Sequence, residues 1–129
     1  MFEKIEMMRM VHAMGQHVSQ RQLVVARNIA NADTPGYRAA DMQDFDESYR
    51  RTLVGDDLRV TNPRHLDSPQ WALDAARVID TGQQASPNGN SVSIEEEMVR
   101  AAETKRDSDL SLGIYRSALD LMRTSLGRG

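Results

Sequence analysis

The stretch that decides the fold of this chain lies at the end of a long amphipathic segment and reads Asn28-Ile29-Ala30-Asn31-Ala32-Asp33-Thr34-Pro35-Gly36-Tyr37. The side chains of Asn31 and Thr34 can bond their own backbone, which competes with helix. Pro35 holds Thr34 in extended geometry and cannot itself continue a helix. Gly36 permits the positive φ that a turn after proline often needs. The stretch therefore predicts a firm helix stop followed by a fixed change of direction.

An apolar stripe precedes this stop and predicts one helix over residues 2–31. Its apolar positions recur at alternating four- and three-residue steps, with one step skipped. The members that we expect to pack are Met7, Val11, Met14, Val18, Val25 and Ile29. Gly15 interrupts the stripe and costs about 1 kcal/mol relative to alanine in a helix interior. We therefore expect another helix to approach closely at Gly15.

A second long helix is predicted over residues 93–126, with Gly127 ending it. Ser93 and Glu96 form a capping-box pattern. The heptad row of this helix is apolar at both ends and polar in its middle. Its apolar members, which we expect to pack, are Ile94, Met98, Leu112, Tyr115, Leu119, Met122 and Leu126. We expect the two long helices to lie antiparallel, with Val11 near Leu119.

The residues between the two helices have a more irregular character. Residues 42–54 are predicted as a short helix capped by Asp41. Short strands are predicted at 58–61 and 77–79, and a turn at 87–90. The predicted fold is mainly α: two long N- and C-terminal amphipathic helices pair as a coiled-coil-like hairpin. The irregular middle segment carries a short helix and the candidate strands.

Composition excludes several classes of function. The chain has 129 residues, a formal net charge of −3 and no cysteine. It therefore lacks the basic footprint of a nucleic-acid binder, and it has neither disulfides nor thiolate metal ligands. His12 and His17 do not share a helix face, and no third metal ligand is near them in the sequence. We predict no catalytic residues, no metal site and no cofactor, so the chain is not expected to be an enzyme.

The helix-stop motif resembles the N-terminal signature of bacterial flagellar axial proteins. The residues that carry this resemblance are Asn28, Ala30, Asn31, Thr34, Pro35, Gly36 and Tyr37. Within that group the chain is most similar to the flagellar basal-body rod protein family, and to its B-type proximal rod branch. Residues 61–66, 87–98 and 122–127 extend the resemblance. The C-type proximal rod protein is the first alternative, and a non-flagellar helical adaptor is the second.

The resemblance implies a structural subunit of the proximal rod. Residues 1–129 would form one axial-protein unit, with an N-terminal helix at 1–31, a turn motif and irregular middle at 32–92, and a C-terminal helix at 93–127. Such subunits polymerise through their terminal helices, transmit torque and enclose the export channel.

The same resemblance implies a set of partners and a location. The partners are other copies of the chain, other flagellar rod proteins, an adaptor at the membrane-ring and export-gate junction, and the flagellar type III export apparatus. Neither nucleic acid nor a direct membrane span is implied. The N-terminal residues lack the apolar core of a secretory signal. We therefore expect export from the cytoplasm to the periplasmic rod of the flagellar basal body without a cleaved signal peptide.

Overall fold

The computed structural model describes residues 2–54 and 78–127. Its elements, in chain order, are α1 (Phe2–Ala30), β1 (Ala40–Met42), α2 (Phe45–Val54), β2 (Val78–Asp80) and α3 (Ile94–Leu126). Two long terminal helices, a short middle helix and a small antiparallel sheet confirm the predicted fold class. The strand predicted at 58–61 lies outside the described residues.

The two long helices lie side by side and antiparallel. Arg21 of α1 binds Glu103 of α3, and nearer the start of α1 the Ser111 hydroxyl lies 3.5 Å from the Val11 carbonyl. The predicted proximity of Val11 and Leu119 is therefore wrong. Leu119 lies eight residues beyond Ser111, which is about 12 Å along a helix. Apolar periodicity identified a face on each helix but did not determine how far the helices slide past each other.

The inward face of α1 is the one that the stripe predicted. Val11, Val18 and Val25 are buried, and Met7 and Met14 are half-buried. The skipped step in the stripe falls at Arg21, whose guanidinium binds acidic partners. Ile29 does not belong to this face, because it follows the buried Asn28 and points into solvent.

The inward face of α3 differs from the predicted one. Its buried residues recur every seven positions and are mostly small or polar; this inner row consists of Glu97, Thr104, Ser111 and Ala118. Small side chains allow α1 to approach closely, and a Cβ placed on Gly15 would lie 3.6 Å from the Ser111 hydroxyl. The expected close helix approach at Gly15 is thus confirmed.

The predicted apolar row of α3 lies beside the inner row, and we call it the outer row. Within one chain it does not pack on α1 as a continuous stripe, which corrects that part of the prediction. Leu119 and Met122 are half-buried. The exposed members are Ile94, Met98, Leu112, Tyr115 and Leu126. Periodicity detects apolar residues, whereas the helix contact formed where small residues let the backbones come together. The predicted role of the outer row in assembly remains a prediction.

The segment after the helix stop forms a strand before it forms a helix. Ala40, Asp41 and Met42 pair with Asp80, Ile79 and Val78, respectively. The predicted helix start at residue 42 with Asp41 as its cap is therefore wrong. The Asp41 carboxylate instead accepts a hydrogen bond from the Met42 N–H and binds Arg21. The α2 helix begins at Phe45, and its first ring stacks on Tyr49 and meets His17 of α1 edge-on.

The start of α3 is where the sequence placed it, but its predicted capping box does not form. Ser93 is the N-cap residue with an extended backbone, yet its hydroxyl bonds the Glu95 carboxylate and no helix N–H. Glu96 instead pairs with Arg100. Gly127 ends the helix as predicted.

In residues 2–54 and 78–127, no helix combines the length and apolar character needed to cross a bilayer.

The two rows of α3 predict opposite responses to substitution. Ser111→Leu should destabilise the fold by about 1–3 kcal/mol, because the larger side chain overpacks a close helix contact. Leu112→Ala removes a larger apolar group, but one that is exposed, so its effect should stay within about 0.5 kcal/mol. Urea unfolding followed by circular dichroism measures both. A larger loss for Leu112→Ala than for Ser111→Leu would contradict this helix contact.

The helix register can be tested by disulfide formation, because the chain has no native cysteine. Gly15→Cys with Ser111→Cys should oxidise readily, because a Cβ placed on Gly15 lies 3.6 Å from the Ser111 hydroxyl oxygen, whose position the second sulfur would take. Val11→Cys with Leu119→Cys, made as the matched pair, should keep both thiols free. Thiol titration and non-reducing electrophoresis of the monomer distinguish the two pairs. The reverse result would place the helices in a different register.

Candidate functional site: the junction of two turns

The end of α1 is closed by hydrogen bonds within the helix-stop motif. The Asn31 N–H donates to the carbonyls of Arg27 and Asn28, and the Asn31 amide donates back to Arg27 at 2.8 Å. The Thr34 N–H donates to the Asn31 carbonyl, and its hydroxyl donates to the Asn31 side chain. Gly36 adopts φ +73°. The predicted helix stop and the predicted positive φ are both present.

Asn28 is the buried centre of this motif, with no exposed surface. Its amide nitrogen donates to the Ala40 carbonyl at 2.6 Å. Its amide oxygen accepts the Tyr37 hydroxyl at 3.0 Å and the Ala40 N–H at 3.2 Å. One carboxamide thus ties α1 to both the turn and the first strand. Unpaired polar groups at such depth are costly, so the motif needs a side chain that both donates and accepts.

Asn90 plays the equivalent part from the second turn, the one that precedes α3. It is 3% exposed, and its amide nitrogen donates to the carbonyls of Asn31 at 2.9 Å and Thr34 at 2.8 Å. Its amide oxygen accepts the Val92 N–H at 2.8 Å. Two carbonyls just beyond α1, which already accept the N–H groups of Thr34 and Tyr37, thus gain a second hydrogen bond from a residue far along the chain.

The backbones of the two turns touch at a pair of glycines. The Gly36 N–H donates to the Asn88 carbonyl at 3.0 Å. A Cβ on Gly89, which has φ +85°, would lie only 3.2 Å from the Gly36 Cα. Beyond the glycines, the Ser91 N–H donates to the Tyr37 carbonyl, and the Ser91 hydroxyl accepts the Ala39 N–H at 2.7 Å. We call the two bonded segments, residues 28–40 and 86–92, the junction.

An ionic cluster extends from the junction along the two long helices. Arg21 binds the Asp41 carboxylate with two nitrogens, at 3.0 and 3.2 Å, and reaches Glu103 at 3.3 Å. Arg100 of α3 also contacts Asp41, at 3.5 Å, and it binds the fully buried Glu97. Asp41 therefore links both helices to the first strand.

The environment of Arg21 favours its charged form. Burial of the guanidinium opposes the charge, but the hydrogen bond and charge of Asp41, followed by those of Glu103, raise the pKa of Arg21 above its usual value. Sequence reasoning missed this cluster. The available signal was the skipped step of the apolar stripe, where an arginine stands between Val18 and Val25.

The structure brings only part of the family motif into the junction interior. Asn28 is buried, whereas Asn31 and Tyr37 are half-buried. The motif residues on the surface are Ala30, Thr34, Pro35 and Gly36. Sequence reasoning did not identify Asn90 and Ser91 as members of the site, although it placed a turn at 87–90.

The junction is held together by its own polar side chains. Its carboxamides and hydroxyls bond mainly backbone groups, which leaves them engaged with the chain itself. His17 donates its Nε2–H to the Gln43 carbonyl, 2.7 Å away, and packs on Phe45. Across residues 2–54 and 78–127, no group of three or more histidine, aspartate or glutamate side chains is arranged so that it could hold a metal ion.

Comparison with known proteins identifies several relatives over most of the chain. The family model described as "Flagella basal body rod protein" matches residues 16–38, which span the second half of α1 and the helix-stop motif. The flagellar basal body rod protein FlgB of Agrobacterium fabrum is 30% identical over 129 residues, covering 98% of this chain and 96% of that protein. FlgB of Escherichia coli is 33% identical over 122 residues, covering 86% of each chain. FlgB of Salmonella typhimurium is 31% identical over 119 residues, again covering 86% of each.

The contact between the two turns predicts unequal costs for two glycine substitutions. Gly36→Ala should lose about 1 kcal/mol, because alanine disfavours positive φ. Gly89→Ala should lose roughly 1–3 kcal/mol more, because its Cβ also meets the Gly36 backbone.

The control for the glycine pair is Gly113→Ala within α3, where nothing lies within 4 Å of the added Cβ. That change should stabilise the protein by about 0.5–1 kcal/mol. Urea unfolding measures all three variants. Equal losses for Gly36→Ala and Gly89→Ala would contradict the close approach.

Proposed function

The chain belongs to the flagellar basal body rod protein family, in its FlgB group, and on that premise we propose that residues 1–129 form one axial unit of the proximal rod that polymerises through the outward faces of its long helices. It is a structural subunit of the bacterial flagellar basal body. The observation that carries the proposal is the outer row of α3. This row is apolar at both ends and largely exposed, although α1 already covers the neighbouring inner row.

The outer row carries apolar surface that the single subunit leaves exposed to water. Met98 is 65% exposed, Leu112 49% and Leu126 75%. Burying apolar surface stabilises by about 25 cal/mol per Å², and such a stripe along a long helix suits coiled-coil packing with another helix. A neighbouring subunit is the partner that a rod lattice supplies.

The outward face of α1 carries a similar pattern. We call it the α1 outer row: its residues follow heptad spacing, with apolar ends and a polar middle, and they are Phe2, Ile5, Arg9, His12, Gln16, Ser19, Leu23, Ala26 and Ala30. Phe2, Ile5 and Leu23 are exposed. Two different outward faces on one subunit favour head-to-tail contacts, and these build open helical polymers when the rotation does not close a ring.

Several further attributes rest on the family resemblance. They are enclosure of the export channel, transmission of torque, contact with an adaptor at the membrane-ring and export-gate junction, and passage through the type III apparatus to the periplasm without a cleaved signal. The structural observations support a load-bearing role. Both helices are held at one end by the junction and the neighbouring ionic cluster, and farther along by the close contact of Gly15 with Ser111, so force on one helix passes to the other.

The alternatives have less support. The curated relatives described above are FlgB proteins rather than C-type rod proteins or adaptors. We expect no catalytic turnover and no cofactor, since the relatives are rod proteins and the polar groups of the junction serve the backbone.

The proposal is tested in a strain that lacks this gene, complemented with variants of the chain. Wild type and Ser117→Asp should restore rods and hooks in electron micrographs of basal bodies. Met98→Asp should leave rings without rods, because it places a charge in the outer row at an exposed position that the subunit fold does not need.

Two controls make the rod experiment decisive. Ser117 is exposed on α3 as Met98 is, but it lies outside the outer row and has no predicted contact. Circular dichroism of the purified variants should show equal helix content. Normal basal bodies in the uncomplemented strain would contradict the rod function, whereas normal basal bodies with Met98→Asp would contradict only the outer row.

A further inference from the structure

The turn before α3 contains an asparagine followed directly by glycine, and this pair has a chemistry that the rod function does not use. Asn88 is exposed at the surface of the junction, and Gly89 follows it. We infer that Asn88 is a site of spontaneous deamidation that the folded junction protects and the unfolded chain exposes. The inference concerns the lifetime of the subunit and does not depend on its role in the rod.

The reaction needs no co-reactant other than water. The Gly89 backbone nitrogen attacks the side-chain carbonyl carbon of Asn88 and loses its proton, while the Asn88 amide nitrogen leaves as ammonia. The product is a five-membered succinimide between the two residues. Water then opens either carbonyl of this ring, which gives aspartate or isoaspartate. Glycine favours the attack because it has no Cβ to hinder the nucleophilic nitrogen.

Sequence context sets Asn88 apart from the other asparagines. Asn28, Asn31 and Asn90 are followed by isoleucine, alanine and serine, whose Cβ atoms crowd the attacking nitrogen. Asn62 precedes Pro63, whose ring nitrogen has no hydrogen to lose. In the unfolded chain Asn88 should therefore react first.

The folded turn holds both reacting groups in other bonds. The Gly89 N–H donates to the Ser86 carbonyl at 2.8 Å, which closes a turn with Pro87 at its second position. The Asn88 amide oxygen accepts the Asn90 N–H at 3.0 Å, which orients its carboxamide along the chain. Asn90 is in turn anchored on the end of α1. Attack requires the Asn88 side chain and the Gly89 nitrogen to leave these bonds together.

The isoaspartate product is incompatible with the junction. It routes the main chain through the former side chain and adds one carbon to the backbone of a tight turn. The Asn88 carbonyl is the acceptor for the Gly36 N–H at 3.0 Å, and the two glycines already lie in close contact. A longer backbone at this point displaces that carbonyl and separates Asn90 from α1. A subunit that stays unfolded for long would therefore lose the ability to form the junction.

The test compares the full-length chain in native buffer and in guanidinium chloride at mildly alkaline pH. Trypsin cleavage after Arg77 and Arg100 releases one peptide that contains Asn88 and Asn90 together, so tandem mass spectrometry reads both sites in the same molecule. We expect Asn88 to deamidate first in denaturant, and at least about tenfold more slowly in the native protein, a difference equivalent to about 1.4 kcal/mol in barrier height.

Two further samples sharpen this test. Asn88→Gln in denaturant should show no fast deamidation, because attack on its longer side chain must close a six-membered glutarimide, which forms far more slowly than the five-membered succinimide. Refolded material from an aged denatured sample should be depleted of isoaspartate relative to the unfolded remainder after separation by size. Equal rates in native and denaturing buffer, earlier reaction at Asn90, or isoaspartate evenly divided between folded and unfolded fractions would overturn the inference.

Discussion

Two buried asparagine side chains bind backbone groups in the segment that follows α1, and the rest of the structure depends on these bonds. Asn28 satisfies both the N–H and the carbonyl of Ala40, while Asn90 satisfies the carbonyls of Asn31 and Thr34. These bonds decide where the chain turns after α1 and where it must return before α3. The antiparallel course of the two long helices follows, because both helices meet the same junction.

Close packing and ion pairs hold different parts of the helix pair together. The inner row of α3 uses small side chains, so that Ser111 lies against Gly15 of α1 and the backbones come close. Near the junction, Asp41 is shared by Arg21 and Arg100, which fastens the strand to both helices. A buried charge is costly without partners, and this mutual arrangement gives each guanidinium at least two carboxylates.

The use of small residues at the contact between α1 and α3 also explains how one subunit can be folded and still have faces free for assembly. Apolar residues such as Met98 and Leu126 were not needed to join α3 to α1, because small residues sufficed. They consequently lie outside, at heptad spacing, where a neighbouring helix can bury them. A rod subunit needs this separation between the contact that shapes it and the contacts that extend the polymer.

Local patterns were enough to predict the long helices, the helix stop near residue 31, the turn at Gly36 and the resemblance to rod proteins. Those features depend on residues close together in the chain. Only the tertiary structure decided that Ser111, and not Leu119, lies beside Val11, that Asp41 binds arginines rather than capping α2, and that Asn90 closes the end of α1 from 59 residues away. Apolar periodicity reveals which face of a helix avoids water, but the partner of that face depends on close approach and hydrogen-bond satisfaction between distant segments, which no local pattern encodes.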